Sequence, residues 1–170
     1  MFIVVDTNML MRSFRFIEEL EIEGAQVIIP RSVIEEIKEQ ADLEKLKRLK
    51  NKPQNGEIKK REKTIALALK QWPKLEQKVR NGEWLVKSSF GKRLVPQLLA
   101  EAQKMKLSSL GIVDIRVVAT ALALKNGTRE LVTLLSLDKE VRILAKKVGI
   151  NVPPLHGWRR HFWKEEILKI

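Results

Sequence analysis

At 170 residues with a hydrophobic fraction of 44%, the chain is long enough for one domain with a sizeable core, and its 33 Lys+Arg against 21 Asp+Glu give a net charge of +12 that favours a polyanionic partner. The absence of cysteine excludes disulfides, thiolate zinc sites and cysteine nucleophiles, and a histidine zinc centre or Ser-His-Asp triad would have to draw on the only two histidines, His156 and His161. No apolar run reaches the roughly 18 residues of a membrane span, and MFIVVDTNMLM lacks the basic start of a signal peptide, so a cytoplasmic protein without a membrane partner is expected.

Phe2 to Val5 is a short apolar run rich in β-branched residues, which predicts a strand buried on both faces. Asn8 is a good cap for a helix over about 9–20, and Gly24 breaks it. Residues 26–29 read as a second buried strand, ended by Pro30, which suits the opening of a helix from about 32 into the 40s. Asn51, Pro53, Asn55 and Gly56 mark a loop, and a helix over 58–71 follows, which Pro73 is expected to end or kink. Asn81-Gly82 signals a turn, 84–86 a short strand, and 92–106 a helix. A strongly apolar helix is predicted over 112–125, with Asn126-Gly127 as its stop. Residues 131–135 form the next strand, 138–148 a helix ended by Gly149, and 150–152 a last short strand.

Strands alternating with helices predict an α/β fold: three layers, α/β/α, around a central parallel sheet of four or five strands. One domain over 1–170 is expected, with a basic helical segment over about 43–106 and an aromatic, basic tail over about 153–170. In such sheets the ligand site lies at the carboxyl ends of the strands. Asp6 follows the first strand directly, and Asp138 follows the 131–135 strand after Ser136 and Leu137, which places both on one rim.

Four acids in apolar surroundings stand out: Asp6, Glu36, Asp114 and Asp138. Asp114 is the strongest, because nearly every side of its helix is apolar and a buried carboxylate needs a partner. An ion pair with Arg116 is the structural alternative there. Asp6 and Asp138 also suit helix openings. At the third position Glu35 and Glu36 compete; Glu36 sits beside Ile37 on the inward edge. Carboxylates crowded on one rim repel one another, and a hard divalent cation such as Mg²⁺ or Mn²⁺ resolves the repulsion.

The order and spacing of these segments resemble the PIN-domain nucleases. The matching motifs are an apolar strand before Asp6-Thr7-Asn8, a Pro-led helix from Pro30 to Ile37, Asp114 to Ala121 as Asp-x-x-x-x-Ala-x-Ala, and Ser136-Leu137-Asp138 after a strand. The resemblance reaches about residue 152. It implies a PIN-like fold and metal-dependent hydrolysis of RNA, with Asp6, Glu36, Asp114 and Asp138 holding Mg²⁺ or Mn²⁺. It favours Glu36 over Glu35. Asn8 and Ser136 are expected to orient the carboxylates. The long basic 43–106 stretch looks more like RNA-processing members than compact toxins, although the cysteine zinc ribbon of ribosomal members is lacking, and Glu140 is the only nearby further acid. The implied function is an endoribonuclease in RNA maturation. The alternatives are an RNA-cleaving toxin held by an antitoxin, or a catalytically silent RNA-binding module. Expected partners are RNA, a second copy of the chain, and an antitoxin or ribonucleoprotein.

Basic side chains at Lys45, Lys47, Arg48, Lys50, Lys59, Lys60, Arg61, Lys92 and Arg93 are candidates for holding the RNA backbone. In the C-terminal run, Trp158 and Trp163 are candidates for stacking on unpaired bases, with Arg159 and Arg160 on phosphate. The competing reading packs this run onto the domain or a dimer partner.

Overall fold

The β-branched run at the N-terminus forms β1 (Phe2–Val5), whose last three side chains are fully buried because both faces of the strand are covered. The computed structural model describes residues 1–53, 55–88 and 90–154. Within it β1 lies between β2 (Gln26–Pro30) and β4 (Val132–Leu135), and β3 (Leu85–Lys87) pairs with β2 on its far side. All pairings are parallel, and Ile3 lies opposite both Val27 and Thr133. Helices α1 (Thr7–Ile22), α2 (Arg31–Gln40), α3 (Leu43–Lys50), α4 (Gly56–Arg80), α5 (Val95–Lys104), α6 (Ile112–Gly127) and α7 (Lys139–Lys147) flank the sheet in a three-layer α/β/α arrangement. The core joins Ile3, Ile28 and Leu134 of the sheet to Leu10, Ile37, Leu75, Leu98 and Ile115 of the helices, all fully buried. Each such side chain contributes about 2 kcal/mol of apolar burial.

Several boundaries differ from expectation. The first helix is capped by Asp6, not Asn8: the Asp6 backbone is extended, and its Oδ1 accepts the Met9 N–H at 2.6 Å. The helix expected from 32 into the 40s is two. The backbone leaves helical geometry at Ala41, and Asp42 starts α3 by accepting the Lys45 N–H at 2.9 Å. Pro73 neither ends nor interrupts α4. It lies on the exposed face, and burial of Leu75 with the packing of Trp72 and Val79 outweighs the one missing N–H. The 92–106 segment opens as a 3-10 turn at Lys92–Leu94 before α5, and Lys106, at φ 56°, has left the helix. Residues 150–152 make only an isolated bridge, Thr133 to Asn151, instead of a strand. Among the described residues, no helix is long and apolar enough to cross a membrane.

Candidate active site

Parallel strands send their carboxyl ends to one edge, so the residues just after β1, β2 and β4 share a rim. Asp6 follows β1 and is 2% exposed. One of its oxygens caps α1; the other accepts the Ser136 hydroxyl, which follows β4 and is fully buried. Ser136 Oγ in turn accepts the Asp138 N–H at 3.0 Å. Asp138 caps α7, its Oδ1 taking the N–H groups of Glu140 at 2.7 Å and Val141 at 3.2 Å. One serine thus ties the ends of β1 and β4 together through two acids.

Asp114 enters from α6. It is the third residue of that helix and reaches back to accept the Gly111 N–H at 2.8 Å, the carboxylate half of a capping box, since Gly111 has no side chain to return the bond. It makes no ion pair with Arg116. Glu36 enters from α2. It accepts the Thr7 hydroxyl on one oxygen and Gln40 Nε2, at 3.2 Å, on the other. Glu35 is exposed and pairs with Arg31 at 2.9 Å. Of the two adjacent acids, Glu36 is therefore the one beside the others.

The electrostatics follow from this crowding. Burial pushes the Asp6 carboxyl up to about 6, against its bonds to Ser136 and Met9, and the charges of Asp114 and Asp138 push the same way. Asp114 is raised as well, first by burial, then by Asp138 and Glu36, with the Gly111 N–H opposing. Asp6, Asp114 and Asp138 thus lie within one another's fields, and Glu36 and Asp114 within each other's. Among the described residues, however, no three acidic or histidine side chains stand close enough to hold an ion as they are. The donor chemistry still fits a hard cation: four carboxylates, with neither sulfur nor imidazole among them.

Thr7, Gln40 and Arg142 were not among the site residues expected from the sequence, and Glu140, a further acid noted there, fastens a loop beside them. Thr7 (7% exposed) holds Glu36, the kind of orienting role expected of Asn8; Asn8 itself is exposed and bonds none of the acids. The Asp-Thr-Asn motif named the right segment but not the right neighbour. Arg142, 6% exposed, donates to the carbonyls of Ser136 at 3.2 Å and Pro153. Burial lowers its pKa while the Asp6 charge opposes, so it supplies positive charge behind the acids. Glu140 accepts the Ser109 N–H at 2.9 Å, fastening the loop before α6 to the start of α7. Neither Arg142 nor Gln40 carries a sequence signal beyond its place in a helix.

The basic candidates spread along the flanking helices. Lys45, Lys47, Arg48 and Lys50 are exposed on α3, with Lys47 paired to Glu44 at 2.7 Å. Lys59, Lys60 and Arg61 are exposed near the start of α4, with Arg61 paired to Glu57 at 2.6 Å. Lys92 and Arg93 are exposed on the 3-10 turn. Trp158, Arg159, Arg160 and Trp163 lie outside the described residues.

The PIN domain family matches residues 3–155, nearly the whole chain, and the chain belongs to that family. Its members are generally nucleases and typically use divalent metal ions. Among solved structures, the chain is similar to a domain of a functionally unknown protein from Methanocaldococcus jannaschii DSM 2661. That pair is 19% identical with a TM-score of 0.52, covering 92% of this chain and 91% of the other. It is also similar to VapBC2 from Rickettsia felis bound to a DNA fragment from their promoter, at 13% identity and a TM-score of 0.47, covering 90% of this chain and 98% of that one. At these identities the likeness is one of fold alone. No curated protein matches the chain.

Proposed function

We propose that the chain is a divalent-metal-dependent endoribonuclease of the RNA-processing kind, with Asp6, Glu36, Asp114 and Asp138 as its acidic site. The observation that supports this best is the carboxylate of Asp6. It is 2% exposed, held between the ends of β1 and β4 by Ser136, and raised to about 6 among other acids. A fold seldom keeps such a group unless its charge is used. Asp6, Asp114 and Asp138 would hold the cation, with Glu36 completing the set or positioning the attacking water. A cation bound there supplies compensating charge and acidifies water for in-line attack on a phosphodiester. The chain's own contribution is orientation: Ser136 and the Met9 N–H fix Asp6, Thr7 and Gln40 fix Glu36, Gly111 fixes Asp114, and the α7 N–H groups fix Asp138. The net charge of +12 supports RNA as the partner, and the lack of cysteine suits a reducing cytoplasm.

Cleavage of structured RNA with and without Mn²⁺ tests the reading. Activity should need the metal, and Asp6→Asn or Asp114→Asn should abolish it while the far-ultraviolet dichroism of the fold is kept. Full activity in either variant rejects the site. The net charge of +12 equally suits one second reading, a PIN module that binds RNA without cutting it. Metal-independent RNA binding with no cleavage would select it.

A further inference from the structure

Along the same rim, at the ends of β2 and β3, lies a cavity of about 210 Å³. Three pieces of chain wall it: the start of α2 with Arg31 and Ser32, the end of β3 with Lys87 and the following turn with Lys92, and the middle of α6 with Arg116. Four cations therefore share one small space. Glu35, also on the wall, pairs with Arg31. Among the described residues, Lys87, Lys92 and Arg116 have no carboxylate partner. Unpaired like charges around a cavity call for an anion.

A second observation points the same way. Ser32 is 8% exposed, lines the cavity, and its Oγ is buried with no hydrogen-bond partner. A buried hydroxyl without a partner is costly, and a phosphate oxygen is the acceptor it lacks. The ten-residue helix α2 opens here behind Pro30, which offers no side-chain cap, so its first N–H groups add partial positive charge. The opposite wall is fixed. Gly91 has φ +78°, and a Cβ on it would collide with the Ala119 carbonyl, so the turn lies directly on the α6 backbone. Thr120 Oγ1 donates to the Arg116 carbonyl at 2.9 Å and lies 3.4 Å from the Phe90 carbonyl. Phe90 is 41% exposed and its ring lies 5.7 Å from Lys87 Nζ. Neighbouring strands are about 5 Å apart, which puts this cavity roughly 5–10 Å along the rim from Asp6. Helices α2 and α6 serve both places, giving Glu36 and Asp114 to the acids, and Ser32 and Arg116 to the cavity.

We propose that this cavity is a phosphate subsite, holding one phosphate of a bound strand next to the acidic site, with Phe90 as a platform for the adjoining base. It rests on the nuclease reading only for the strand being RNA.

Amide NMR on the full chain, without metal, tests it with inorganic phosphate, uridine 5′-monophosphate and uridine as probes. The amides of Arg31, Ser32 and Val33 should shift with both phosphates and not with uridine. The double change Lys87→Gln with Arg116→Gln should weaken monophosphate binding about tenfold or more, since two charge-assisted contacts are lost. Ser32→Ala should also weaken it, with thermal stability unchanged or higher, because the hydroxyl has no internal partner to lose. Absent shifts, equal shifts with uridine, or full affinity in the double variant overturn the subsite. So does a Ser32→Ala protein that loses stability but binds phosphate normally. Oligonucleotides with a 5′-phosphate or a 5′-hydroxyl separate the sources: equal binding assigns an internal phosphate, and a several-fold preference assigns a terminal one. The two readings fail separately. Phosphate binding here without any metal-dependent cleavage removes the nuclease and keeps the subsite; cleavage with an unchanged KM in the double variant does the reverse.

Discussion

Asp6 serves two structural ends with one carboxylate, capping α1 and taking the Ser136 hydroxyl, and it does so while buried. Its folded pKa, about 6, lies above the ordinary 3.8. The sign is therefore the reverse of the usual carboxylate case: its contribution to stability is fully present below about pH 4 and is lost as pH rises through 6. The rise from 3.8 to about 6 corresponds to on the order of 3 kcal/mol. Urea unfolding in the presence of a chelator should show stability falling from pH 4 to pH 7, and Asp6→Asn should flatten much of that fall. An equal fall in the variant would place the effect elsewhere. The adjacent acids of α2 give a second comparison. Glu36→Gln should lower cleavage roughly a hundredfold or more, the range for a group engaged at the reacting centre. Glu35→Gln removes only an exposed pair with Arg31, so it should leave cleavage intact and cost less than about 1 kcal/mol. The opposite ranking of the two would mean that the site lies on the other side of α2.

At the scale of elements, two backbone features set the geometry around the site. The turn between β3 and α5 lies on α6 only because Gly91 has no side chain. Gly91→Ala combines a positive φ with a collision against Ala119, and should cost more than about 2 kcal/mol in denaturant unfolding. A neutral result would show that the turn stands off α6 in solution. Helix α4 carries Pro73 in its interior without breaking. Pro73→Ala restores an N–H for the Leu69 carbonyl and should raise stability by about 2 kcal/mol, the helix gain exceeding the lost stiffness of the unfolded chain. Loss of stability would mean that the proline is packed in a way its exposure does not suggest.

For the whole molecule, the net charge of +12 makes salt the simplest probe of RNA binding. A log–log slope of roughly −3 to −6 would fit several phosphate contacts on a single strand. Replacing Lys59, Lys60 and Arg61 together by Gln should flatten it, while Lys125, Lys146 and Lys147 replaced together should change it less. The second set ends α6 and α7, the helices on either side of β4, and so lies at the edge opposite the acids; Lys125 already donates to the Gly149 carbonyl. Equal loss in both sets would reduce the 43–106 segment to a solvated face. The parts of this molecule that were legible in the sequence are those set by residues within a few positions of one another. Phe2–Val5 had to be a covered strand because it is apolar without a break, and Asp138 had to open a helix because the N–H groups of Glu140 and Val141 need an acceptor. The four acids were visible for the same reason, as charges in apolar runs. Even locally there were ties: Asp6 and Asn8 can both cap, and only the end of β1 decided for Asp6. Tertiary structure alone decided the partners. Ser136 meets Asp6 across 130 positions, Thr7 meets Glu36 across 29, and Arg142 reaches the carbonyl of Pro153, because the order β3-β2-β1-β4 brings distant strand ends to one rim. The cationic cavity has the same origin: Ser32, Lys87 and Arg116 share no pattern in the sequence, and become neighbours through sheet order and helix packing, which no local pattern encodes.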